Sequence, residues 1–163
     1  MIVVSDTSAI NNLAAIDQLI LLKQLYGTVI IPEAVYGELV VPPISAGGEE
    51  AKSYDWIQVR HVSDRAIVDE FLTELDLGES EAIALALEIG ADQILLDERK
   101  AREFAKTKGL TLTGVLGLLI VAKTKDLIPA VRPLVVALRQ QADFWLSEAL
   151  CNRALQTVGE KPL

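Results

Sequence analysis

Five acids are set where they could do chemistry: Asp6, Glu38, Glu79, Glu81 and Asp97. Asp6 follows the apolar, largely β-branched run Ile2-Val3-Val4 and Ser5, and precedes Thr7-Ser8, two good helix N-caps. Asp97 follows a second such run, Ile94-Leu95-Leu96, and also precedes a helical stretch. An acid between a buried strand and a helix start lies in a cleft beside hydrogen-bond donors. If the two strands are parallel neighbours, their carboxyl ends share one sheet edge, and the two carboxylates become neighbours. Unpaired, they repel, and one is pushed toward protonation. A hard divalent cation, Mg²⁺ or Mn²⁺, relieves that repulsion. The alternative is that each Asp only caps the helix after it. Their matching positions favour the cation.

The other acids sit on predicted helices. Glu38 has apolar Val35 and Leu39 beside it and Pro42 one turn on. It either leans inward, where it needs a partner, or is an ordinary solvated acid. Glu79 and Glu81 are two residues apart, so on a helix they face different sides. Glu79 shares a stripe with Ile83, Ala86 and Gly90, and reads as the inward acid. Glu81 aligns with Leu85 and Glu88 and reads as more exposed. Both also suit a helix N-terminus, where the macrodipole favours negative charge.

The elements that must position these acids alternate strand and helix. The predicted strands are Ile2–Val4, Thr28–Ile31, Ile57–Val62, Ile94–Leu96 and Leu110–Leu112. Helices are expected over 9–13, over a segment capped by Asp17 and ended by Gly27, and over 32–40, 49–54 and 65–75. Further helices are expected over 79–89, 99–108, 114–125 and 129–142, with a last one over 148–158 capped by Ser147. Residues 41–48 read as a loop. Strand–helix repeats with short connections predict an α/β fold: a mostly parallel sheet of about four to five short strands flanked by helices.

With 163 residues, half of them hydrophobic, the chain fits one domain with a sizeable core. Its net charge of −8 excludes nucleic-acid binding by bulk charge and confines any such role to a local site. One cysteine and one histidine cannot build a His/Cys zinc site, and no internal disulfide is possible. Cys151 is expected to be a buried small hydrophobe and His61 a surface or packing residue. Neither a signal peptide nor a membrane span is predicted, so the protein is expected in the cytoplasm, away from membranes.

The ordered set Val4-Ser5-Asp6-Thr7-Ser8, Ile31-Pro32-Glu33-Ala34-Val35-Tyr36-Gly37-Glu38-Leu39, Leu77-Gly78-Glu79-Ser80-Glu81-Ala82 and Leu95-Leu96-Asp97 resembles a PIN domain, in the prokaryotic branch related to VapC toxins. Leu112–Leu119 and Lys125–Pro129 are similar to the same branch, and Phe144–Ser147 to a tail found in some of its members. The resemblance runs from Ile2 to about Leu138. It implies a Rossmann-like nuclease domain over 1–142, with 143–163 as a helical extension packed on it. It implies an acidic pocket with Mg²⁺ or Mn²⁺ and metal-dependent cleavage of RNA. The four acids carry over to Asp6, Glu38, Glu79 and Asp97, with Asp6, Glu79 and Asp97 as metal ligands. Glu79 stands where many relatives have Asp, which leaves Glu81 as a supporting acid. Ser8 matches a hydroxyl near the metal, and Arg99, Lys100 and Arg102 follow where substrate phosphate could be met. The toxin branch also implies a cognate antitoxin.

Two other classes compete. A catalytically inactive PIN-like module would only bind RNA or a protein. An aspartyl phosphoryl-transfer site would resemble Asp-x-Asp, and Ser8 in its third position argues against it. No Gly-x-Gly-x-x-Gly follows a strand, which counts against dinucleotide binding. The apolar stretches 9–25 and 114–125 exceed what one small core should cover, which predicts a homodimer.

Overall fold

In the computed structural model of the chain, residues 1–42, 44, 46–141 and 146–163 are described. Five parallel strands form one sheet in the order β3-β2-β1-β4-β5. They are β1 (Val3–Ser5), β2 (Val29–Pro32), β3 (Ile57–Arg60), β4 (Gln93–Leu95) and β5 (Leu112–Thr113). The fold is α/β, with a Rossmann-like strand order. The chain builds outward from β1 through β2 to β3, then returns to place β4 on the other flank of β1. The switch point is therefore the crevice at the carboxyl ends of β1 and β4, where open α/β sheets place their ligands.

Period-two alternation explains the layers. Val3, Val29, Ile31 and Leu95 face one core; Val4, Ile30, Ile94 and Leu96 face the other. The first core is closed by helices α1 (Thr7–Ala15), α2 (Ile20–Tyr26), α3 (Glu33–Val40), α8 (Val115–Thr124) and α9 (Arg132–Gln141). The second is closed by α5 (Arg65–Phe71), α6 (Leu77–Ile89) and α7 (Arg99–Thr107). A short α4 (Gly48–Ser53) precedes β3. The last helix, α10 (Glu148–Thr157), puts Cys151 and Leu155 into the first core, and Glu160 accepts from the Val131 and Arg132 N–H groups at the start of α9.

Several predicted ends hold. Gly27 and Gly90 end α2 and α6 at φ of 76° and 63°, and Asp64 and Ser147 cap α5 and α10. Others differ. Asp17 caps nothing; it takes a left-handed φ of 56°, and α2 starts three residues later. Neither Thr7 nor Ser8 caps α1, because Asp6 does. That helix is also longer than predicted, since Asn11 and Asn12 have tertiary reasons to be there. Asn11 Oδ1 accepts from Gly47 N–H at 2.9 Å, and Asn12 is buried beside the site described below.

One chain covers most of the apolar surface that pointed to a homodimer. Ile10, Leu13, Leu21, Leu22, Val115, Leu118 and Leu119 are all buried, whereas Ile20 and Val121 stay exposed. His61 is exposed, 3.1 Å from Glu33. Phe144 and Trp145 of the expected tail lie outside the described residues.

Candidate active site

Sheet register sets the first pair of acids. Ser5 pairs with Leu95, so Asp6 and Asp97 leave adjacent strands one residue apart in register, and Asp6 N–H donates to Leu95 C=O. Asp6 is 3% exposed and caps α1 by accepting from Ala9 N–H at 3.0 Å. Burial raises its pKa well above the ordinary value; the Ala9 bond opposes that, and the charges of Asp97, Glu79 and Asp76 add to it.

Asp97 does not cap the helix that follows it. Glu98 does, accepting from Ala101 N–H at 2.9 Å. Asp97 instead reaches across to α8, where Oδ1 accepts from Val115 N–H at 2.9 Å. Its Oδ2 is buried and has no hydrogen-bond partner among the described residues. Burial raises the Asp97 pKa, against the Val115 N–H, Arg102 and Asn12, which favour the charged form. Gly114 keeps this corner open. A Cβ there would lie 2.9 Å from both Asp97 Oδ1 and Arg102 Nη1.

The α6 N-terminus supplies the next acids. Asp76 and Glu79 form a capping box: Asp76 Oδ1 accepts from Glu79 N–H at 2.8 Å, and Glu79 Oε1 from Asp76 N–H at 3.2 Å. Burial pushes the Glu79 pKa up to about 7, the Asp76 N–H opposes this, and the Asp76 and Glu98 charges add to it. Glu38 faces the same helix end. It accepts from Thr7 Oγ1 and from Gly78 N–H. A Cβ on Gly78 would lie 2.6 Å from Glu38 Oε1, so only glycine lets the carboxylate seat there. Burial raises the Glu38 pKa; the Thr7 bond opposes it, and the Asp76 charge adds to it.

Around the switch point Asp6 thus feels the charges of Asp97, Glu79 and Asp76, and Glu38 is tied in through Asp76, whose charge acts on it as well. Glu81 has partners of its own, although its charge also adds to the rise of the Glu38 pKa. Instead of being exposed, it is buried on another side of α6, accepting from Ala34 N–H at 3.0 Å and pairing with Arg65 at 2.8 Å. There it clamps the starts of α3 and α5. Ser8 is exposed, and the hydroxyl that meets an acid is that of Thr7. Of the three cations after Asp97, Arg102 reaches the site, its Nη1 donating to Leu96 C=O at 2.6 Å. Arg99 pairs with Glu103 at 3.2 Å, and Lys100 is exposed.

Two residues here escaped sequence reasoning. Asp76 reads as a turn residue, yet its charge acts on Asp6, Glu38 and Glu79 alike. The pattern Asp76-x-x-Glu79, a capping box, was the available signal. Asn12 is 5% exposed, lies close enough to Asp97 to favour its charge, and has an Nδ2 without a partner among the described residues. An amide at an interior position of a buried helix face was its signal.

The residues fit a hydrated divalent cation. Their donors are hard oxygens, the Asp97 charge acts on Asp6, and Asp97 Oδ2 is buried with no hydrogen bond among the described residues. Among the described residues no group of three or more metal-binding side chains is placed to hold one ion together. Glu79 is held in its capping box, which leaves Asp6 and Asp97 as the leading pair. Mg²⁺ commonly takes one or two carboxylates and keeps several waters.

A parallel sheet with carboxylates gathered at its switch point defines a Rossmann-like α/β protein. More narrowly, the chain belongs to the PIN domain family: a family model described as a PIN domain matches residues 2–160. PIN domains are typically nucleases. No curated protein matches the chain. Among the described residues no helix is long and apolar enough to cross a membrane.

Proposed function

We propose that the chain is a metal-dependent endoribonuclease hydrolysing RNA phosphodiester bonds, with Asp6 and Asp97 as the leading Mg²⁺ or Mn²⁺ ligands and Glu79 as the third acid. One observation supports this reading: the buried carboxylate of Asp6 feels the charge of half-buried Asp97 from the adjacent strand, and Asp97 Oδ2 is itself buried with no hydrogen bond among the described residues. A cation bound there would supply a water of lowered pKa and offset charge on the phosphate. The protein's own groups do the rest. Val115 N–H and Ala9 N–H hold Asp97 and Asp6 in place. Thr7 and Gly78 fix Glu38, whose raised pKa suits it to take up or orient a water proton. Arg102, with Lys100 at the surface, meets the substrate phosphate. Acids that bind metal, and metal that binds the anion, reconcile a −8 chain with a polyanionic substrate.

The resemblance to the toxin branch supports a cytoplasmic role in a toxin–antitoxin pair, with a cognate antitoxin as partner. Exposed Ile20 and Val121 are what remains for a second copy to cover in a homodimer. Residues 143–163 act as an extension of the domain over 1–142, supported by the seating of Cys151 and Leu155 in its core.

Cleavage of single-stranded RNA should require Mg²⁺ or Mn²⁺, stop in excess EDTA and vanish in Asp6→Asn, with circular dichroism unchanged. Full rate in EDTA would contradict the proposal. An inactive module that binds RNA or protein is the second reading, favoured by the engagement of Glu79 in its capping box. RNA binding with no cleavage under any metal would support it.

A further inference from the structure

A groove of about 580 Å³ opens beside the acids, between β5, α8 and α10. That volume is within the range of small-ligand sites, about 300–1,000 Å³. Asp97 and Arg102 line its inner end, Leu116 and Leu150 its walls, and Arg153 its far side. Arg153 makes no ion pair or side-chain hydrogen bond among the described residues. Gly117 forms part of the floor, within α8, where a glycine lowers helix stability. Among the described residues no contact requires it. Its φ is not positive, and a Cβ there would meet only Thr113 Cγ2, at 3.9 Å. The missing side chain therefore keeps the groove open rather than easing packing.

We propose that this groove takes the sugar and base of a single-stranded RNA nucleotide next to the phosphate at Asp6 and Asp97, with Arg153 meeting the following phosphate. The inference rests on the nuclease reading. Three features select this occupant. Asp97 lines both the groove and the acid site, so a strand held at one continues into the other. The Arg153 guanidinium, with no ion pair among the described residues, is an anion's partner in a chain of net charge −8, and Arg102 at the inner end, bonded to Leu96 C=O, offsets the charge of Asp97. Apolar walls between them suit a sugar and an unpaired base, which only a single strand can turn out.

The test uses the full chain and a fluorescein-labelled single-stranded RNA decamer in Mg²⁺. Fluorescence anisotropy is read on the Asp6→Asn background, with cleavage of the same RNA read on the parent. Gly117→Leu should weaken binding about ten-fold or more, with a Tm at or above the parent's. Arg153→Ala, on an exposed helix face, should weaken binding and lower the salt slope by about one. Gly117→Ala should raise the Tm by about 1–4 °C. Unchanged RNA affinity in Gly117→Leu, or in Arg153→Ala should the leucine variant not fold, overturns the proposal. So does a Gly117→Leu variant that turns a dimer into a monomer in sedimentation at unchanged RNA affinity, which would make the groove a contact between copies. A parent that cleaves RNA while the groove variants match it sinks the groove alone. A parent that neither binds nor cleaves RNA sinks the nuclease reading and the groove together.

Discussion

Each acid at the switch point is held by a donor, and among the described residues only Asp97 has a cation, half-buried Arg102, favouring its charge. Asp6 has Ala9 N–H, Asp97 has Val115 N–H, Glu38 has Thr7 and Gly78, and Glu79 has Asp76 N–H. Backbone donors fix their orientation and leave the repulsion in place. The pH dependence follows in sign. The native pKa of Glu79 is raised from 4.5 to about 7, and Asp6, Asp97 and Glu38 are also raised. The native state therefore binds more protons than the unfolded state in that interval, and stability falls as pH rises through it. For Glu79 the loss runs from about pH 4.5 to about pH 7. Thermal melts of metal-free protein should show the Tm dropping across that window, and Mn²⁺ should diminish the drop. Asn12→Ala tests the missed residue. Asn12 favours the charged form of Asp97 but makes no hydrogen bond through Nδ2 among the described residues, so its removal should change the metal-free Tm little. Mn²⁺ affinity, read by electron paramagnetic resonance, should fall about 10–100-fold, as for outer-shell partners of a metal site. A lower metal-free Tm with intact Mn²⁺ affinity would make Asn12 structural instead.

Helix starts decide which acids reach the pocket. Because Glu98 caps α7, Asp97 is released to bridge to α8. Because Asp76 and Glu79 share a capping box, both stay at the pocket's edge. On α6 the two-residue offset sends Glu81 to the opposite task of joining α3 and α5. Glu81→Gln should cost about 1–3 kcal/mol by urea denaturation, since it weakens a charged bond to Ala34 N–H and leaves Arg65 unpaired. Its effect on cleavage should be small. Gly78→Ala should do the reverse: a modest change in stability with a large loss of cleavage, as the added Cβ displaces Glu38. This is the scale at which the sequence was partly legible. Strand–helix alternation and the two acid-terminated strands were readable, because β-branched runs and turn residues are local signals. The ranking of Glu79 as the inward acid over Glu81 was not readable from the stripe: Glu79 is half-buried in its capping box, and Glu81 is the buried one. The burial of Glu81 was not legible because its partners Arg65 and Ala34 lie 16 and 47 residues away. The caps went astray for a similar reason. Asp6, Thr7 and Ser8 are all competent N-caps, and only the tertiary position of Glu38 draws Thr7 away from that role.

At the scale of the molecule, strand order converts two distant segments into one site. The 3-2-1-4-5 sheet sets Asp6 and Asp97, ninety-one positions apart, at the same crevice. Helices on both faces cover the sheet and leave that edge open, flanked by the Arg102 and Arg153 groove. The most direct measurement is the anomalous difference map of a crystal soaked in Mn²⁺. The account predicts a peak shared by the carboxylates of Asp6 and Asp97, absent in Asp97→Asn. A map with no peak at that crevice, from a crystal whose protein cleaves RNA, would contradict it.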